Sequence, residues 1–181
     1  WLKSDDRAFA LAAGQVLVKR EGLPPLAVEA AIQASRSGDR DLVPVAARLL
    51  GAGRSADDDV QSRIRELIRG GTPQASLAAL QAANDLGMSL TDYQRRIKKL
   101  LDLFAEDAFV LLQLIESQGR TFEGLAPNIV DHLGVALQHD DVELADALVR
   151  CLSSICPNGP ALIAKRIREP AIREKAVERF Q

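Results

Sequence analysis

Residues 88–119 read MSLTDYQRRIKKLLDLFAEDAFVLLQLIESQG, and their pattern decides the fold class. In the first half, Leu90, Tyr93, Ile97, Leu100, Leu101 and Phe104 recur three and four apart. This is one apolar stripe of a 3.6-residue helix, with Arg95, Arg96, Lys98 and Lys99 mostly off it. An acidic break at Glu106-Asp107 follows, and residues 109–115 are then apolar nearly all round. A helix of that kind needs neighbours on more than one side, so the pair is not stable alone and stacked helical hairpins are expected.

The flanking sequence repeats the theme. Upstream, Thr72 caps and Pro73 starts an alanine-rich helix that lets its neighbours come close. Before it, Ser55 is the expected cap of a helix with Asp57, Asp58 and Asp59 at its positive end. Val60, Ile64, Leu67 and Ile68 form its stripe, and Gly70 and Gly71 stop it. Asp39 or Arg40 opens an earlier helix with Pro44 in its first turn, ending at Gly51 to Gly53. Pro24 and Pro25 open the one before that, and Ser4 caps a first helix over 4–20 that Gly22 stops.

Downstream, Thr121 is the expected cap of a helix that Pro127 starts or bends, with Ile129, Val130, Leu133, Val135, Ala136 and Leu137 inside. His139-Asp140-Asp141 breaks the chain before a helix over 142–156, and Pro157-Asn158-Gly159-Pro160 is the strongest turn signal. A helix over 161–168 and a last one begun or kinked by Pro170 complete the set. No stretch alternates as a strand does. The expectation is one all-α domain over 1–181 with about ten or eleven helices.

The glycines that close the second helix of each proposed pair, Gly22, Gly53, Gly87 and Gly119, are spaced 31, 34 and 32 apart. Shorter breaks lie between them at Gly38-Asp39, Gly70-Gly71, Glu106-Asp107 and Asp140-Asp141. That is the period of an antiparallel helix pair. The segment NDLGMSLTDYQRRIKKLL resembles the passage between two units of the tetratricopeptide and pentatricopeptide class, although no single unit carries the full set of signature residues. The resemblance implies a right-handed stack of antiparallel helix pairs, an α-α superhelix or α-solenoid. Degenerate HEAT or armadillo repeats share this physics with looser spacing, and a non-repetitive helical bundle is the third alternative.

Composition narrows the function. The 23 basic and 25 acidic side chains leave a net charge of -2, which argues against a dedicated nucleic-acid binder. No apolar run is long enough to span a bilayer and no signal-peptide pattern opens the chain, so a cytoplasmic location is expected. The start at Trp1 suggests a fragment of a longer or processed protein, and the abundance of alanine and arginine suits a GC-rich bacterial genome. Cys151 and Cys156, five apart on one helix, are about 8 Å apart along its axis and read as reduced core thiols.

If the pairs stack as in such repeats, their first helices line an inner surface. These carry Arg63, Arg65, Arg69, Arg95, Arg96, Lys98 and Lys99, then Lys165, Arg166 and Arg168. With Tyr93 they form the candidate partner-binding set, a basic lane suited to acidic side chains, a terminal carboxylate or phosphates, unless it is an ordinary solvated face. An RNA-reading role fits poorly, because Gln94, Arg95 and Arg96 follow Tyr93 where small polar residues are needed. His132 and His139 are two helical turns apart, too far for one metal ion, and no cofactor is implied. Ser153, Ser154 and Cys151 lack a glycine-framed nucleophile turn. The expectation is a non-enzymatic scaffold for a protein or peptide partner, with single-stranded RNA binding or a helical module of a larger secreted effector or machine as alternatives.

Overall fold

Helix ends expose backbone groups that need partners, and the side chains of Asp6, Asp57, Thr72 and Asp141 each supply one at a helix start. The computed structural model describes residues 6–19, 22–55, 57–103 and 108–180, and the described residues are all-α, with no strand among them. Ser4, Phe104, Glu106 and Asp107 lie outside the described residues. The chain divides into two compact units, Trp1–Tyr93 and Gln94–Gln181.

The first unit holds α1 (Arg7–Val18), α2 (Pro25–Ser35), α3 (Leu42–Ala52), α4 (Asp58–Gly70) and α5 (Pro73–Asp85), then a 3-10 turn at Thr91–Tyr93. Short connections make α2–α3 and α4–α5 antiparallel pairs, and α3 packs on α1, α2 and α5. Arg7 of α1 pairs with Asp39 (2.8 Å) and with Asp41, both just ahead of α3, so α1 and α3 start at the same end of the unit. Residues α1, α3 and α5 thus form one layer. Across the other, the Arg63 guanidinium of α4 donates to Ser35 at the end of α2.

Two caps differ from expectation. Asp57, rather than Ser55, caps α4 by accepting from the Asp59 N–H at 3.2 Å. Asp39 accepts from the N–H groups of Asp41 (2.9 Å) and Leu42 (3.1 Å), starting α3 at Leu42. Those two bonds, with help from Arg7, hold its carboxyl below the usual carboxylate range. Thr72 caps α5 as expected, accepting from Ala75 N–H at 3.2 Å. One helix end is re-tied by a buried hydroxyl: Ser76 donates to Leu67 O at 3.0 Å, a carbonyl in the last turn of α4.

The helix α3 ends within the expected 51–53, with Gly53 as its C-terminal cap, and Gly51 lies inside it and is buried. A Cβ there would stand 2.7 Å from Ala82 Cα, so the helix backbones of α3 and α5 meet through it. Gly53 also departs from the repeat of closing glycines. Gly22, Gly87 and Gly119 take left-handed φ of 70°, 67° and 57°, whereas Gly53 is right-handed at −65° and the reversal passes to Arg54 at φ 48°. Crowding by Val28 Cγ2, 2.9 Å from where a Cβ would sit, accounts for the glycine at position 53.

The second unit holds α6 (Gln94–Leu103), α7 (Ala108–Gln118), a run of 3-10 turns at Gly119–Leu125, α8 (Ala126–Gln138), α9 (Val142–Ile155), α10 (Gly159–Arg166) and α11 (Pro170–Glu178). Packing of α6 on α7, α8 on α9 and α10 on α11 repeats the pairing, and α7 lies along α9. Thr121 caps no helix. Residues 119–125 instead turn tightly around Phe122, which is completely buried, and Pro127 falls in the first turn of α8. Asp140 adopts φ 54° where a glycine is usual, and the Asp141 N–H returns to Ala136 O at 2.9 Å to close α8.

Cross-links between helices two apart share a spacing. Arg63–Ser35, His132–Asp102, Arg7–Asp39, Arg179–Asp146 and Arg166–Asp131 join residues 28, 30, 32, 33 and 35 apart. These lie close to the glycine spacing, as expected when each pair sits against the next in a constant register.

The α3–α5 contact yields a paired prediction. Gly51→Ala should lower stability by about 1–3 kcal/mol, because overpacking outweighs a helix-propensity gain of about 1 kcal/mol. Gly70→Ala, with nothing near its added methyl, should raise stability by about 0.4–1 kcal/mol. Urea midpoints of the two variants will move in opposite directions.

Candidate interaction surface

A cation can grip a partner only if the fold has not already engaged it. Arg63 is engaged: Nε donates to Ser35 Oγ at 2.8 Å, Nη2 to Ser35 O, and Nη1 to Glu66 at 2.8 Å. Ser35 is almost fully buried, so this guanidinium ties α4 to the carbonyl end of α2 and is not open for a partner. Arg65 is exposed but bonds Gln61 at 2.8 Å, and Arg69 lies over the Tyr93 ring at 6.0 Å from its centroid. Tyr93 itself is only 7% exposed, which makes its ring a core contact more than a recognition surface.

In the second unit Arg166 makes a two-pronged contact with Asp131 of α8, at 2.8 Å and 2.5 Å, which raises the guanidinium pKa and fastens α10. Lys165 and Arg168 are exposed. Arg96 is half-buried and engaged.

Arg95, Lys98 and Lys99 differ from these. All three are exposed, and none forms an ion pair or hydrogen bond with a described residue. Positions three and four apart share a helix face, and Ile97, Leu100 and Leu101 of α6 are buried on the opposite one. Arg95, Lys98 and Lys99 therefore form one open cationic face in the second unit.

Beside this face lies a shallow depression between α6, α8 and the start of α9, floored by Leu101, Ala136, Leu144 and Leu148. Val135 stands at its rim and is 52% exposed, contrary to its expected place inside α8. The His132 Nε2–Asp102 Oδ1 contact, 3.1 Å, closes one side and His139 stands on another. The sequence pattern missed this hollow, because its walls come from four helices, α6, α7, α8 and α9. The remaining signal was an apolar Val135 between two polar histidine positions.

The other candidate chemistry is taken up by the helices. Ser153 donates to Val149 O at 2.8 Å and Ser154 to Glu116 O at 3.1 Å, so neither hydroxyl faces a base. No group of three or more metal-ligating side chains occurs among the described residues. Cys151 and Cys156 are free and buried; burial, with a smaller contribution from the charge of Glu116, pushes the Cys151 thiol up to about 12. No helix among the described residues is long and apolar enough to cross a membrane.

No family model matches the chain, and neither a curated protein nor a solved structure does.

Two predictions follow from these contacts. Arg63→Met should cost about 1–3 kcal/mol of stability, the range for charge-assisted bonds to a buried group, read as a lower urea midpoint. For Cys151, the native state keeps its proton between pH 9.0 and about 12 while the unfolded chain loses it. The stability this contributes is complete below pH 9.0 and is lost as pH rises through that window. In a Cys156→Ser variant the remaining thiol should resist a disulfide reagent at pH 8 until urea unfolds the chain.

Proposed function

We propose that the chain is a non-enzymatic helical interaction module that binds an acidic segment of a protein partner through the exposed face of α6. The observation that supports this is the contrast among its cations: Arg63 and Arg166 hold helices together, whereas Arg95, Lys98 and Lys99 meet no acid among the described residues. Long cationic side chains on one rigid helix suit carboxylates three and four apart on a partner helix, or along an extended acidic strand. Each exposed ion pair contributes only about 0.2–1 kcal/mol, so three together steer and orient a partner more than they hold it.

In this reading the pairs of each unit are degenerate α-α repeats, right-handed as in the tetratricopeptide class. Support comes from the pairing of successive helices and from cross-links 28–35 residues apart. The helix α6 is then the first of its pair, the position that lines the receptive side of such stacks.

The test compares a fluorescein-labelled peptide of alternating Glu and Ala with an oligouridine of equal charge, by anisotropy at low salt. The peptide should bind, weaken steeply with salt, and lose at least ten-fold in affinity to an Arg95→Glu/Lys98→Glu/Lys99→Glu chain that keeps its circular dichroism. Tighter binding of the oligouridine, or binding of neither probe, overturns the proposal.

A further inference from the structure

We propose that the depression bounded by α6, α7, α8 and α9 receives the side chain of a lysine or arginine from a partner polypeptide, with its methylene stem on the apolar floor and its charged head at the carboxylates of the rim. This site is separate from the α6 face and opposite to it in charge.

The floor is apolar, formed by Leu101, Ala108, Ala136, Leu144 and Leu148. The carboxylates of the lining are Asp102 and Asp141, its other titratable groups are the imidazoles of His132 and His139, and among the described residues it holds no lysine or arginine. With both histidines neutral, the lining therefore carries two negative charges and no positive one. Each carboxylate makes one hydrogen bond that leaves this charge in place: Asp102 Oδ1 meets His132 Nε2 at 3.1 Å, and Asp141 Oδ1 accepts from the Leu144 N–H at 3.1 Å as the cap of α9. The second oxygen of each has no hydrogen bond or ion pair with a described residue, and Lys98, one turn before Asp102 on α6, does not pair with it.

These facts select the occupant by elimination. A purely apolar side chain would cover the floor but strip water from the carboxylates and return nothing to them. An acidic one would add repulsion between like charges. A long basic side chain meets both demands, because its hydrocarbon stem can lie on the leucines while its head stays at the rim with the free carboxylate oxygens and with water. The depression is shallow, so the rest of the occupant remains outside it. A stem of three or four methylenes, each worth about four-fold in affinity when fully covered, and a half-exposed ion pair make a weak site for a free amine. Carried on a polypeptide that also touches the surface alongside, where Val135 is half exposed, the same contact adds to binding that is shared with its neighbours.

The experiment titrates the intact chain, labelled at its leucine and valine methyls, with three seven-residue peptides of Ala and Ser whose central residue is Lys, norleucine or Glu. The Leu144 and Leu148 methyls should shift with the Lys peptide at a concentration at least five-fold below that needed by the norleucine peptide, and stay still with the Glu peptide. An Asp102→Asn/Asp141→Asn chain, in which asparagine can still cap α9, should lose the preference for Lys over norleucine while its circular dichroism is unchanged. Equal affinity of the native chain for the Lys and norleucine peptides, binding of neither, or a tighter Glu peptide overturns the proposal. Hexylamine moving the same methyls at as low a concentration as the Lys peptide also overturns it, since the hollow would then take free amines.

Discussion

A helix that is apolar around most of its circumference has to be covered from at least two sides, and that requirement organises both units. In the first, α3 carries buried residues on several faces and is covered by α1, α2 and α5 at once. The contact with α5 is the closest: Gly51 offers no side chain, Ala75, Ala78, Ala79, Ala82 and Ala83 offer only methyls, and the two backbones approach until a single added carbon would collide. Small residues trade buried area per residue for many short contacts, which packing at interior density rewards. The second unit meets the same requirement differently. There α7 lies along α9 through leucines and isoleucines, and Phe122 fills the space above them from a loop.

Polar side chains then lock what the apolar ones have brought together. Arg7, Arg63, Arg166 and Arg179 each reach a residue 28 to 35 positions away, on or beside the helix two before or after their own. Exposed pairs of this kind add little stability one at a time. Each also discriminates against slippage, since moving one helix by a turn past its neighbour would separate the pair that joins them. Arg63 is the strongest instance, because the Ser35 carbonyl it reaches is at a helix end with no partner inside its own helix.

The helices themselves could be read from the sequence, because a 3.6-residue stripe and a terminating glycine are local signals. Thr72, Pro73, Gly87 and the apolar faces of α4, α6 and α9 were placed correctly on that basis. What escaped depends on distant chain. The role of Gly51 is decided by Ala82, two helices on; Phe122 is buried within residues 119–125, which form no helix capped by Thr121; and Val135 is exposed although its neighbours in the apolar run are mostly buried. The same holds for the surface. Arg63 and Lys98 are alike as residues in a list, and only the position of Ser35 makes one structural and leaves the other open.

That difference also explains why the open face falls where it does in the second unit. With a repeat of about 33 residues, the positions on α8 that succeed Arg95, Lys98 and Lys99 are Asn128, Asp131 and His132. Asn128 carries no charge, Asp131 is held by Arg166 from α10, and His132 is turned to Asp102. None of these three positions thus offers a free acid to the α6 cations. On α6 the three cations coincide on one exposed face, and among the described residues no ion pair or hydrogen bond engages them.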